Sequence, residues 1–414
     1  MTMLSAPGRT RIGGESSFAS AAVTLLPVKC QLDTSGLSAE VLRDEHTRQG
    51  DYETAKIVGG YTGTVEVKLQ LHGFASSNPS AAPSVTGPTG MGATGFDIIA
   101  SLVGTAFGGL YAGGYGTSLT LSDPGSAQLG ASSLSSFTPG MPVGYLSGDT
   151  RHPYEVNWIT DVTEGTPDVA DLLVNRNFSP TGTKLWGGIT AFVRDLDPNL
   201  EAQSIASYTI EHQYHGSDDL LLCYGCQPIG LKIEAEAGKV PMLTITMGVG
   251  HWEITQDGSW PVSPISWSYP QPTIAANWRC IGPGGGILAV KGFTFDLGLT
   301  RTAIPDGQYP SGIGGWYAAQ RRPTVAVQVF RNAAGEQSLF SAQNGYPLVW
   351  QWGVGPGRGF SLCLPNARVV ELPKATDRDG ALISDLKFEG HYYDGDNDTD
   401  ATKPGNSPAR FCWI

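Results

Sequence analysis

Three local clusters hold residue types that could do chemistry. Cys223-Tyr224-Gly225-Cys226 has the spacing of a metal knuckle or a redox pair. A tetrahedral zinc site needs four ligands, usually from a second close pair, and the sequence offers none. His212 and His215 are near, but at i and i+3 on a strand they face opposite sides. A reduced pair at a strand turn is the expectation. Asp394 to Asp400 has the carboxylate density of a calcium loop. An EF-hand needs Gly at the sixth position and Glu at the twelfth, and here those are Thr399 and Gly405. A loosely held divalent ion and a solvated loop both stay open. Gly282-Pro283-Gly284-Gly285-Gly286 has no following lysine and no strand-loop-helix pattern, so it reads as a linker turn. No G-x-S-x-G elbow or H-E-x-x-H motif occurs, and the 7 histidines are too dispersed to nominate a triad. The expectation is no catalytic residue, no metal and no cofactor.

Positioning elements come next, and composition points to strands. Gly 55 and Pro 28 make about a fifth of the 414 residues, without a collagen period, which means many turns. The 40% hydrophobic content and 10 Trp supply ample core. The chain reads as mainly β with long loops. With 26 Lys+Arg against 38 Asp+Glu the formal charge is −12, and no basic block reverses this locally. Tight gripping of nucleic acid is disfavoured, because cationic contacts supply most of that affinity. Loose passage along an acidic surface is not. No targeting signal follows Arg9 and Arg11, and Phe96 to Leu110 is too short and polar to span a bilayer. The 6 scattered cysteines fit reduced thiols in a cytoplasm.

The clearest strand is Gly60 to His72, with Val65, Val67, Leu69 and Leu71 on one face and Glu66, Lys68, Gln70 and His72 on the other. Ser76 to Gly95 is an aperiodic loop. Thr94 is an N-cap for a helix at 96–107, with Asp97 at its positive end. Residues 110–200 are hard to place, apart from a strand at Trp186 to Val193. A meander of four elements follows: Tyr208 to Tyr214, Leu220 to Cys223, Leu231 to Glu236, and Leu243 to Val249. A Pro/Gly/Trp-rich stretch at 255–290 suggests a boundary, giving modules 1–260 and 261–414. Strands resume at Phe293 to Leu297, Thr324 to Phe330, Pro347 to Trp352, Phe360 to Leu364, Ala367 to Leu372 and Leu382 to Phe388.

Taken together, these features resemble the tail tube (major tail) proteins of tailed bacteriophages. The likeness lies in Arg11-Ile12-Gly13-Gly14-Glu15-Ser16-Ser17-Phe18-Ala19, in Lys56 to Val65 leading to Leu69-Gln70-Leu71-His72-Gly73, in the helix, and in the meander from Tyr208 to Gly248. It is one of pattern over most of the chain, without a signature motif. The resemblance implies a β-sandwich or barrel with a flanking helix. It also implies stacked homo-oligomeric rings whose inner sheets join around a lumen, contact with other tail proteins, and DNA passing through without tight binding. The place would be the virion tail, assembled in the host cytoplasm, with no membrane. Strand-face residues Glu66, Lys68, Gln70, Glu211, Glu234 and Glu236 are the candidates for lumen or interface. Another β-rich virion component (head decoration or baseplate) is the alternative, followed by a secreted carbohydrate-binding or carbohydrate-active sandwich.

Self-comparison adds an expectation of two tandem modules. His215-Gly216 matches Trp352-Gly353 (353 − 216 = 137), Leu222-Cys223 matches Leu362-Cys363 (363 − 223 = 140), and Gly238 matches Gly380 (380 − 238 = 142). Thr64-Val65 matches Thr324-Val325 (324 − 64 = 260), so the first copy holds the long insertions. Three such chains would complete a pseudo-hexameric ring; a single-module chain would need six.

Overall fold

The computed structural model describes residues 9–22, 25–42, 57–71, 96–116, 128–131, 134–147, 154–165, 168–174, 180–194, 206–214, 219–256, 278–282, 287–309, 311–330, 340, 344–353, 359–371, 374–378, 381–397 and 403–413. The loop at 76–95, His215, Gly216, Gly380, Pro283 to Gly286 and most of the 255–290 stretch lie outside them. The chain is mainly β, with one α-helix among the described residues. No described helix is long and apolar enough to cross a membrane.

Four strands open the chain: β1 (Arg9–Gly14), β2 (Leu26–Val28), β3 (Gln31–Leu42) and β4 (Ile57–Gln70). A helix, α1 (Phe96–Phe107), begins an inserted region with β5 (Gly108–Gly116), β6 (Gln128–Ala131), β7 (Pro142–Ser147), β8 (Tyr154–Thr163), β9 (Asp168–Leu172) and β10 (Pro180–Val193). Next come β11 (Tyr208–Gln213), β12 (Asp219–Glu236), β13 (Met242–Val249) and β14 (His251–Gln256). The rest of the chain holds β15 (Arg279–Ile281), β16 (Ile287–Leu288), β17 (Val290–Asp296), β18 (Thr300–Pro305), β19 (Ile313–Gln320), β20 (Thr324–Phe330), β21 (Tyr346–Gly353), β22 (Gly359–Val369), β23 (Lys374–Arg378), β24 (Ala381–Gly390) and β25 (Arg410–Trp413).

The alternation in β4 does what its pattern requires: Val65, Val67 and Leu69 are buried, and Glu66 and Lys68 stay accessible. It lies between β3 and β13, with Glu66 opposite Asp33 and Thr246. The meander differs from expectation. Leu220 to Cys223 and Leu231 to Glu236 belong to one strand, β12, so three strands replace four elements. Residues 224–230 stay extended because they keep partners: Cys226 pairs Tyr208, and Gln227 pairs Gly248. Pro228 lacks an N–H and falls at a bulge, where a strand tolerates that loss.

β12 runs through two sheets. Its first part lies between β11 and β14, and its second part between β13 and β17. Between the two parts, Gly225 has φ 62, and a Cβ there would meet the Phe18 ring at 2.8 Å. Only glycine suits both constraints. The Glu15 carboxylate fixes this point, accepting the Gly225 N–H at 2.9 Å, the Ala19 N–H at 2.9 Å and the Thr209 hydroxyl at 3.0 Å.

The pairing network of the first eight non-inserted strands recurs later in the chain. β1 pairs β2 and β11, β11 pairs β12, β12 pairs β13 and β14, β13 pairs β4, and β4 pairs β3. Correspondingly β15 pairs β16 and β21, β21 pairs β22, β22 pairs β24 and β25, β24 pairs β20, and β20 pairs β17. The long β12 has two pieces as its counterpart, β22 and β23, both laid against β24. The outer hairpin of β3 and β4 has its counterpart in the β18–β19 hairpin. Strands on either side of residue 260 share one sheet, because β12 pairs β17 from Lys232–Asp296 to Glu236–Gly292.

The inserted region occupies the stretch that gave no readable pattern apart from the strand at Trp186 to Val193, which is the second half of β10. β10 pairs β5 on one edge and β25 and β7 on the other, and β8 and β9 continue outward with β6. α1 is apolar enough to be buried widely, with Ile98, Leu102, Val103, Ala106 and Phe107 in the main core. Its Ser101 and Thr105 hydroxyls both bond the buried Tyr208 hydroxyl at 2.8 Å. The helix has no basic residue in its last turn. Its terminal carbonyls are met from β18 and the segment after β19, by Arg301 on Thr105 O and Arg321 on Ala106 O, both at 3.0 Å. That supplies the positive charge a helix C-terminus favours.

Burial raises the Glu15 pKa above 4.5, outweighing the hydrogen bonds that lower it. A raised acid pKa means the linked stability is full below the unfolded value and is lost as pH rises through the folded one. Glu15→Gln turns an amide N–H toward donors and destabilises by about 1–3 kcal/mol. Because Gln does not titrate, that gap narrows as pH rises from about 4 to about 7. Urea unfolding of both proteins across that range measures it.

Candidate assembly surface

In an antiparallel ladder directly opposed residues share a face, so one polar residue marks a row across the sheet. Rows run across β3, β4, β13, β12, β17, β20 and β24. One passes through Asp33, Glu66 and Thr246; another through Glu234, Thr294, Ala326 and Lys387. Glu66, Lys68, Gln70, Glu234 and Glu236 all lie on this face, opposite the side carrying Val65, Val67, Ile233, Ile245, Phe295 and Val327. On it, from β3 to β24, the carboxylates Asp33, Glu66, Glu234, Glu236, Asp296, Asp385 and Glu389 outnumber the ammoniums Lys68, Lys232 and Lys387. The register of β23 adds Lys374, opposite Asp385, and Arg378, which leaves seven carboxylates to five cations.

Glu211 is the exception among the six candidates. It lies on β11 in the other sheet, 13% exposed, and binds Arg11 on β1 at 2.5 Å. Alternation alone gave its strand a polar face without showing which sheet the strand joins.

Local pairing tunes the acidic face. Lys68 binds Glu66 at 2.8 Å and Asp33 at 3.3 Å, and its pKa is raised chiefly by Glu66. Asp33 is lowered by its hydrogen bonds with Ser35 and then by Lys68. Glu236 is lowered by Lys239, 2.5 Å away. Asp33 and Glu236 therefore stay ionised near neutrality. Exposed pairs of this kind contribute only about 0–1 kcal/mol each to stability. The face is a charged, wettable surface, not packing material.

The cysteine pair is interior, and in the Asp394 to Asp400 cluster Asp396 is buried while Asp394 is exposed and residues 398–400 lie outside the described ones. Cys223 and Cys226 are free and buried within β12 rather than at a turn, and desolvation pushes the Cys226 thiol well up. A thiol so placed is a poor nucleophile. Asp396 is fully buried against Arg410 and accepts the Asn406 N–H at 2.9 Å, so a guanidinium fills the place a cation would take. Burial raises its pKa, against the pull of Arg410. Among the described residues no group of three His, Cys, Asp or Glu could hold a metal ion.

A second buried pair joins the inserted region to the later strands. Arg279 on β15 binds Glu155 on β8 at 2.6 Å, at 2% and 3% exposure. Beside it Gln351 on β21 donates to Tyr154 O and accepts from Val156 N, both at 2.8 Å. The sequence carried no signal for this pair, whose partners lie far apart along the chain. Glu155→Ala removes the carboxylate that faces a buried guanidinium and costs about 3–5 kcal/mol, and adding Arg279→Met recovers most of the loss. Urea unfolding of the single and double variants measures both steps.

A scan against models of known protein families and a search of curated proteins returned no match to this chain.

Proposed function

We propose that the chain is a structural subunit that self-assembles into the stacked rings of a phage tail tube. The observation that carries the reading is a single sheet with one acidic, wettable face, its order β3-β4-β13-β12-β17-β20-β24-β23 leaving, among the described pairings, one strand open at each end. The recurring pairing network supports two tandem tube modules in one chain, so that three chains complete a ring. The outer hairpins, β3–β4 and β18–β19, are placed to reach a neighbour in the assembly. An acidic face turned to the lumen repels the phosphate backbone and lets DNA slide without sticking. The virion tail, built in the host cytoplasm with other tail proteins, is the setting.

Electron microscopy of the purified protein at rising concentration tests this. Rings or tubes of threefold symmetry are expected, and a persistently monodisperse monomer refutes assembly. Strict sixfold symmetry with an external domain refutes the two-module version. In a mobility-shift assay at physiological salt, duplex DNA is expected to bind no tighter than about 1 μM, within the nonspecific range. Submicromolar affinity overturns the electrostatic argument.

A further inference from the structure

The two halves of the pairing network agree in register as well as in order. Anchoring Thr64 on Thr324 gives an offset of 260, and the ladders then fix the neighbours. Gly248 opposite Thr64 maps to Glu389 opposite Thr324 (389 − 248 = 141). Met242 maps to Ile383, so their partners Glu234 and Thr376 correspond (376 − 234 = 142). Asp33 opposite Glu66 maps to Thr294 opposite Ala326 (294 − 33 = 261).

A separate route starts at Leu222 on Leu362, 140 apart. Their partners Glu211 and Trp350 correspond (350 − 211 = 139). The next partners are Arg11 and Cys280 (280 − 11 = 269), then Pro27 and Leu288 (288 − 27 = 261). Two independent anchors thus return the same 261 for β2 and β3, which only two residues separate. Chance resemblance between two meanders would not close this loop.

The repeat has one junction inside the chain and two unmatched edges outside it. Inside, the last strand of the first inner sheet, β12, pairs the first strand of the second, β17. Their equivalents are β23 and β3. Among the described pairings β23 has only β24 and β3 has only β4 along their lengths. An eight-strand sheet puts these edges roughly 34 Å apart, so one chain does not join them to each other. An open strand edge is a template for another chain.

We propose that β23 of one chain pairs antiparallel with β3 of a second copy, in the register that β12 and β17 already use. Shifting Glu234–Thr294 and Glu236–Gly292 by 142 and 261 gives Thr376 opposite Asp33 and Arg378 opposite Gln31, while the bulge between Asp33 and Gly36 leaves Lys374, the counterpart of Lys232, opposite Gly36 (296 − 36 = 260). This deepens the assembly reading and rests on it. The contact is head to tail, so it closes into a ring where the rotation per chain allows.

The internal junction also says which pairs a disulfide can bridge. Leu297 N–H bonds Leu231 O and Ala237 N–H bonds Lys291 O, both at 3.0 Å. The odd-numbered positions of β12 are therefore the hydrogen-bonded ones, and 232, 234 and 236 are the closer pairs, with Cα atoms about 4.5 Å apart. Copied outward, Arg378 with Gln31 and Thr376 with Asp33 fall in disulfide range.

The test mixes a full-length chain carrying Gln31→Cys with one carrying Arg378→Cys, under mild oxidation and on non-reducing gels. Asp33→Cys with Thr376→Cys is the second in-register pair, should one of the first variants fail to fold. Both mixtures are expected to give covalent dimers. Gln31→Cys with Lys374→Cys, displaced by four residues or about 13 Å, stays at the background of the wild-type chain. Rings or tubes in micrographs without in-register crosslinks overturn the junction and leave the assembly reading standing. Equal crosslinking by the displaced pair also overturns it. A chain that assembles under no condition overturns both.

Discussion

One strand carries the architecture. β12 is long enough to take part in two sheets, and its backbone bonds are satisfied by β11 and β14 before Gly225 and by β13 and β17 after it. A strand can change sheets only where its pleat is broken without leaving polar groups unpaired. The positive φ of Gly225 breaks the pleat, and the Glu15 carboxylate takes the N–H that this frees. The main core then spans both halves, since residues from each (Val65, Ile210, Leu231, Phe295, Trp350) sit in the same buried group, with two smaller clusters built around the inserted region. In the later half the crossing is made differently. β22 ends at Val369, β23 begins at Lys374, and the offset changes from 140 to 142 across the gap.

Where one rule acted alone, the sequence was readable. The alternation of β4 and the apolar run Phe96 to Phe107 reflect local periodicity, and both elements fall where that periodicity puts them. The mainly β class followed from the density of turn residues. The inserted region was opaque because its strands are held by partners remote in sequence. Trp186 to Val193 was legible as a strand and is the second half of β10, but its partners β5 and β25 were not. Glu211 shows the same limit at a single residue: a polar strand face is visible locally, but its partner Arg11 is 200 positions away. The matches of Leu222-Cys223 with Leu362-Cys363 and of Thr64-Val65 with Thr324-Val325 did carry long-range information, because recurring segments write their contacts into the chain twice.

The inserted region also makes the two halves unequal in how their edges are protected. β25 is covered on its outer side by β10. Its counterpart β14 has β12 as its strand partner in the described ladders, and Ile254 on it is 56% exposed. Side chains partly fill the role of a covering strand there. Trp252 donates its indole N–H to Ser38 O at 3.2 Å, and its ring meets Tyr61 at 5.1 Å, which pins the β3–β4 hairpin beside β14. The equivalent hairpin, β18–β19, is held instead by its arginines on the end of α1 and by Trp316 packed over Gly248. Each hairpin is thus anchored at its base by a different device, though its backbone pairing is the same.

That contrast separates what the fold conserves between its halves from what it lets vary. Backbone ladders recur in register, because slipping a strand by one residue would turn Val65, Val67 and Leu69 outward and Glu66 and Lys68 into the core. Side-chain anchors are free to differ, since many arrangements satisfy one hairpin base. An acidic sheet face exacts a further condition. Its carboxylates repel one another, and the lysines placed beside Glu66, Glu234 and Glu236 reduce that repulsion without neutralising the surface. Cohesion of the inner sheet therefore rests on backbone bonds and on the buried side of the rows, where Ile233 and Phe295 face the core across the β12–β17 ladder. A joint built this way relies on main-chain geometry more than on side-chain identity, which is why one register can serve two sets of residues.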